Sequence, residues 1–247
     1  MRILKHLKSD WFRYGFETLA VVVGILVAFA LDNWNESRKQ DKLEIQYLKG
    51  LSTDLTNDTV YYNRRIMDSE RSVKRDGETI RQMYQIQKTL EDVKFLLSQS
   101  AWNSEQLTTQ NSTYIELINS GALRIISNRA LKNLIIDYYR SNEEAAAHIN
   151  EFNEVSTRHL VEVGNVIRNY GKLRLHNNDL YDSNSMFFKG EWDFVNDPVS
   201  NKFQSLEYAL TVYRLKHNVF LDHFRALKKK SSLLISEIQK ELDSRTL

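Results

Sequence analysis

The sequence predicts an all-α protein: an N-terminal transmembrane helix followed by an elongated antiparallel helical bundle with coiled-coil packing. Three observations carry this reading. The 247 residues include only eight glycines and one proline, Pro198, too few chain-reversing residues for a sheet or a turn-rich fold. An uninterrupted apolar run, Leu19 to Leu31, stands near the N-terminus. Towards the C-terminus, apolar residues recur at three-four spacing over five heptads, the period of helices packed side by side. The expected organisation is a short cytoplasmic N-terminus at 1–15, a transmembrane helix at 16–34, and an extracytoplasmic bundle at 35–247 with an aromatic-rich loop at 172–196.

The run LAVVVGILVAFAL holds thirteen residues, fewer than the roughly 18 that would mark a spanning helix by themselves. Its flanks complete it. Trp11 to Trp34 is 24 residues, about 36 Å of helix against a hydrocarbon core of about 30 Å. Trp11, Phe12, Tyr14 and Trp34 then fall in the two interfacial belts, where amphipathic rings are best placed. A cleavable signal peptide competes, because Ala28-Phe29-Ala30 resembles a small-residue cleavage site. Against it stand Asp10 and Glu17 upstream, and a helical pattern that runs through the cut into Asn33-Trp34-Asn35-Glu36. A buried or interfacial helix is the third reading. Arg2, Lys5, Lys8 and Arg13 before the span are balanced by Arg38, Lys39, Lys42 and Lys49 after it, and the α-amino group tips orientation towards a cytoplasmic N-terminus.

Glu17, Ala20, Gly24, Ala28 and Leu31 share one face of this helix. Ala20, Gly24 and Ala28 form a small-xxx-small stripe that lets two helix backbones approach closely, so helix packing in the membrane is expected there. Glu17 lies one turn inside the edge, either among headgroups or paired with a partner helix.

The stretch FETLAVVVGILVAFALDNWNESR is similar to the N-terminal signature of domain-of-unknown-function family 6090, found in Bacteroidota-type bacteria. Its members carry Gly-Glu-Ile, a Val/Ile-rich run, Gly-Ile-Leu-Ile-Ala and Asn-Asn-Trp-Asn-Glu. Here Glu17, Gly24-Ile25-Leu26, Ala28 and Asn33-Trp34-Asn35-Glu36 match, while Phe16 replaces the glycine and Asp32 the first asparagine. A second patch, Tyr114 to Gly121 with Leu123, Ile126, Asn128, Leu131 and Tyr138-Tyr139, resembles the family's mid-domain segment. The resemblance implies a helical protein of the bacterial inner membrane and brings no activity, cofactor or catalytic residue; the charge bias then puts the bulk of the chain in the periplasm.

Beyond the membrane, Leu48, Leu51, Leu55, Tyr62, Ile66, Val73, Ile80 and Tyr84 mark a long helix from about 36 to 88, interrupted at Asp58, Ser69 and Gly77, with a kink weighed near Ser52 to Asn57. Thr89 is placed to cap a helix through about Ser98, and the polar 99–110 stretch reads as a loop. A short helix, Tyr114 to Ser120, stops at Gly121. Ser127 or Asn128 opens the next, with a stripe of Leu131, Leu134, Tyr138, Ala145, His148, Phe152, Val155, His159, Val163 and Val166, ended by Gly171. Asp197 as N-cap and Pro198 at the first position open the last helix. Its seam runs Phe203, Leu206, Leu210, Tyr213, His217, Phe220, Phe224, Leu227, Ser231, Leu234 and Ile238. Alternating directions send the first long helix out from the membrane, the third out again and the fourth back, with Lys228-Lys229-Lys230 either near the headgroups or on an exposed turn.

Basic and acidic residues number 34 and 32 and are interspersed, which gives nucleic acid no concentrated basic face. No cysteine is present, so thiolate metal sites and cysteine nucleophiles are excluded. His148 and His159 are eleven residues apart on one helix, about 16 Å, and cannot share an ion; they and His217 read as core histidines. Adjacent carboxylates such as Glu143-Glu144 project apart. No metalloprotease, Walker or dinucleotide motif occurs, so no enzyme, metal or cofactor is expected. Tyr181, Phe187, Phe188, Trp192 and Phe194 in the 172–196 loop must bury somewhere, plugging the membrane-distal end of the bundle or contacting a partner. The favoured function is an interaction or scaffold role, with the lipid bilayer and a second copy or a partner membrane protein as partners. The alternative is a ligand-sensing subunit signalling through a partner membrane protein.

Overall fold

A computed structural model describes residues 11–85, 87–99, 104–174 and 184–245, with the backbone alone at 11–13 and 184. The described residues are helical with no strand. Helix α1, Trp11–Met83, is a single element of 73 residues, so the apolar run and the polar stretch after it are one helix, unbroken over Ser52 to Asn57. It ends earlier than expected, and the stop is chemical. Tyr84 and Gln85 tighten onto Arg81 and Gln82, Gln87 takes a left-handed φ of 41°, and Lys88 turns its Nζ back to donate to the carbonyls of Met83 and Gln85, each at 2.7 Å. These carbonyls have no partner inside the helix. Burial lowers the pKa of Lys88.

The chain forms two compact units, Met1–Leu51 with Thr113–Ser127, and Ser52–Ser112 with Asn128–Leu247. In the first, α1 is joined by α3, Ser112–Asn119, and a 3-10 turn, Ala122–Ile125. Gly121 stops α3 at φ 67°, as its position predicts. The helices meet where Gly50 leaves room, since a Cβ there would stand 2.9 Å from Thr113 Cγ2. Tyr47 donates to Glu116 at 3.1 Å, and the buried Glu44 accepts from the Ser127 backbone N–H at 2.8 Å and its hydroxyl at 3.2 Å.

The second unit packs the later part of α1 with α2 (Leu90–Gln99), α4 (Arg129–Val166), α5 (Tyr170–Arg174), α6 (Lys189–Trp192) and α7 (Asn201–Ser244). Caps set the boundaries. Thr89 and Asp92 exchange backbone and side-chain hydrogen bonds, the reciprocal pattern of a capping box. Asn128 accepts from Leu131 N–H at 3.1 Å. The expected cap at Asp197 is corrected: Ser200 accepts from Phe203 N–H at 3.2 Å and opens α7. Asp197 and Pro198 instead form the preceding turn, closed by Ser200 N–H on Asp197 O, with proline at the turn position that suits its fixed φ.

Cross-helix pairs fix direction. Asp58 meets Tyr138 and Tyr62 meets Asn142, so α1 and α4 run the same way. Thr59 meets Ser231 and Asp76 meets His217, while Asn128 meets Glu241 and Asp137 meets Lys230, so α7 returns against both. Lys230 thus commits its ammonium to Asp137.

All eleven predicted seam positions of α7 are buried. On α4 the expected stripe is rotated. Leu131, Tyr138, Ala145 and Val163 are buried as expected, but Ile135, Asn142, Ile149, Asn153 and Ser156 complete the inner face, and His148 is exposed. Gly171 does not end α4, which stops at Val166 and lets Gly171 fall inside α5. On α1, Asp58 and Ser69 are no interruptions: both are buried, with Asp76 and Thr79, in line with Tyr62. One apolar cluster joins Tyr62, Ala145, Ile149, Phe220, Phe224 and Leu227; another gathers Met83, Leu97, Ile167, Leu173, Phe187, Phe194, Phe203 and neighbours.

Candidate functional site

From Tyr14 to Leu43 every side chain of α1 is exposed. This segment is long and apolar enough to cross a membrane, and its apolar stretch is not buried. Glu17, Ala20, Gly24 and Ala28 are all exposed along it, and no atom lies within 4 Å of a Cβ built on Gly24. Trp34 is 60% exposed, with the Arg38 guanidinium 5.0 Å from its ring centre. Trp11 starts the helix, and its side chain lies outside the described residues.

Inside the second unit, a polar chain threads the core. Gln110 N–H donates to Asp58 Oδ1 at 2.7 Å, and Tyr138 lies 2.6 Å from Asp58 Oδ2. The Tyr138 and Tyr62 hydroxyls are 3.1 Å apart, Tyr62 is 2.5 Å from Asn142 Oδ1, and Thr109 donates to the same oxygen at 3.1 Å. Burial raises both phenol pKa values, so both keep their protons. Tyr138 donates to Asp58 and Tyr62 to Asn142, and either phenol can donate across the contact between them. The Asp58 pKa is raised, chiefly by burial and also by Asp54, against the hydrogen bonds from Gln110 and Tyr138.

Between the ordinary value of 3.8 and the raised folded value, folding takes up a proton, so this contribution to stability is complete at low pH and is lost as pH rises through the folded pKa. Asp58→Asn places a carbonyl against Gln110 N–H and an amide against Tyr138, and removes the titrating group. Its stability relative to the parent is expected to increase as pH rises above the ordinary carboxylate value of 3.8, whereas Asp58→Ala loses about 1–3 kcal/mol by leaving partners unmatched. Thermal unfolding of the full chain in detergent checks both, and parallel pH profiles for parent and Asp58→Asn would refute a raised Asp58 pKa.

A second buried polar group sits further along α7. His217 Nδ1 is 2.5 Å from Asp76 Oδ2 with both side chains nearly inaccessible. Neighbouring Lys216 lies with its Nζ 4.4 Å from the Tyr213 ring centre, and burial lowers its pKa to about 8 against the opposing pull of Asp76. His217 is therefore the core histidine expected. His159, half-buried, instead meets Glu162 at 2.8 Å.

In the aromatic-rich segment, Tyr181 lies outside the described residues. Phe187 and Phe194 are buried in the apolar cluster, with Trp192 packed against it. The Phe187 ring has Lys94 and Lys172 ammonium groups each 4.6 Å from its centre, a cation–π arrangement that pins it. Phe188 is 73% exposed. The sequence offered no sign that Lys94 and Lys172 would hold this ring, because the three positions belong to separate helices and a loop.

Among the described residues, no group of three or more histidine, aspartate or glutamate side chains is placed to hold a metal ion. The model of a family of unknown function matches residues 17–187, more than half of the chain. The chain belongs to domain-of-unknown-function family 6090. The family 6090 match begins at Glu17 and ends at Phe187, taking in the exposed apolar face of α1 and every member of the Asp58 chain, while α7 lies beyond it. No curated protein and no solved structure matches this member of family 6090.

Proposed function

We propose that this family 6090 protein is a single-pass, membrane-anchored interaction module of the bacterial cell envelope, without enzymatic activity. Its N-terminus lies in the cytoplasm and its bulk in the periplasm. It acts in a homo-oligomer or with a partner membrane protein, and the lipid bilayer is its first partner. One observation carries the reading: a helix whose later residues are built into a packed core leaves everything from Tyr14 to Leu43 uncovered, and the contiguous apolar surface of Leu19 to Leu31 within it needs a lipid or protein environment. Against a ligand-sensing role stands the filled seam of α7, where Phe203, Leu206, Phe220 and Phe224 are each fully buried.

The stripe Ala20, Gly24, Ala28 is the assembly face in this reading. The chain has no cysteine, so Ala28→Cys introduces a unique thiol. In native membranes it is expected to crosslink, to a second copy or to another membrane protein distinguished by mass, and adding Gly24→Leu is expected to abolish most of that product by holding the backbones apart. If the Gly24→Leu chain crosslinks as well as its parent, the stripe is not the assembly face.

A further inference from the structure

His148 on α4 and His223 on α7 face each other with ring centres 5.4 Å apart and planes inclined at 57°. Two imidazoles on one tetrahedral ion, with metal–nitrogen bonds of about 2.0–2.1 Å and ring centres about 1.1 Å beyond the nitrogens, have centres about 5.2 Å apart. The observed spacing of the ring centres therefore matches that of a two-imidazole chelate. The backbones are held there by Ala145, Ile149, Phe220 and Phe224, which pack in one apolar cluster immediately beside the two histidines, and ligands carried on rigid helices hold their geometry best.

The ring nitrogens are available. Among the described residues neither imidazole takes part in a hydrogen bond. His148 is exposed and His223 half-buried, so water can complete a coordination shell. The surroundings favour a cation: Glu144 and Glu151 stand one turn to either side of His148 on α4, and Asp222 acts electrostatically on His223.

We propose that His148 and His223 form a two-histidine site for a late first-row divalent ion such as Zn2+ or Cu2+, clamping α4 to α7. With two protein donors and open water positions, the site acts as a clasp between helices. Each ring nitrogen gives a lone pair to the ion, and any proton it carried leaves to solvent.

The test uses the untagged full-length chain in detergent with Cu2+ or Zn2+ as the sole added ion. Titrated Cu2+ is expected to show a spin-resonance signal coupled to two imidazole nitrogens, at one ion per chain. His148→Gln and His223→Gln should each lower affinity about 100-fold, the loss of a chelate, and His159→Gln should leave it unchanged. At tenfold its dissociation constant, Zn2+ should raise the Tm of the parent by about 3–6 °C. Because His148 is exposed, its variant keeps the fold and keeps the test decisive. If the double variant binds Cu2+ with the parent's affinity and nitrogen coupling, the ion sits elsewhere and the proposal falls.

Discussion

A chain carrying lysine at both Val23 and Leu26 is expected to leave the carbonate-resistant membrane fraction. The magnitudes decide this. Leu19, Val21, Val22, Val23, Ile25, Leu26, Val27, Phe29 and Leu31 each favour insertion by about 0.3–0.6 kcal/mol, a sum of about 3–5 kcal/mol. Each lysine near the middle of the span costs about 2.5–3.5 kcal/mol, or about 5–7 kcal/mol for the pair. The substitutions therefore reverse the balance, even with lysine ammonium groups reaching towards the interface. Both positions are exposed, so no packed core is disturbed. Val60→Lys is the control: it lies on the same helix, is 66% exposed, and should change nothing. Carbonate washing followed by immunoblotting reads the result. A double-lysine chain that stays in the pellet would refute the anchor.

The second large effect lies in the core. Phe224→Ala is expected to destabilise the full chain by about 3–5 kcal/mol, the range for a buried aromatic ring lost to a cavity. In Tm this is a fall of about 6–20 °C for a domain of this size. Phe224 is fully buried and is the hub of an aromatic group. Tyr61 and Phe220 meet it edge-on at 6.2 and 6.5 Å, Tyr62 lies at 6.4 Å, and the Arg65 guanidinium sits 5.7 Å from its ring centre. Because Tyr62 also belongs to the Asp58 chain, near-ultraviolet circular dichroism should change with the melting curve. Phe188→Ala removes the same atoms from a ring that is 73% exposed, and should move stability by less than about 0.5 kcal/mol. Equal losses from the two substitutions would mean that α7 is not packed as described.

Much of the architecture was legible along the chain. The α7 seam could be read position by position, because eleven side chains repeating at one period define a face by themselves. The stops and starts at Thr89, Gly121 and Asn128 were legible too, since each rests on a bond or a backbone angle within a few residues. The start of α7 was misread for an instructive reason. Asp197 and Pro198 suit a cap and a turn equally, and the turn wins because Ser200 supplies a second cap three residues later. The inner face of α4 was also misread. Its Asn142, Asn153 and Ser156 are buried because partners on other segments receive them: Asn142 accepts from Tyr62 and Thr109, and Asn153 donates to Glu105 O at 2.6 Å. The three-four spacing placed His148 on that face instead, where it is exposed.

The amino-acid sequence alone determined the helical class, the apolar segment near the N-terminus, the family resemblance and the inward face of α7, because period, propensity and capping are properties of neighbours along one chain. Only the tertiary structure decided that Asp58 and Asp76 are interior groups, that Lys94 and Lys172 hold Phe187, and that His148 stands opposite His223. Each of these depends on the rotation and register of one helix against another, and register is set by the sum of many distant packing contacts, which no local pattern contains.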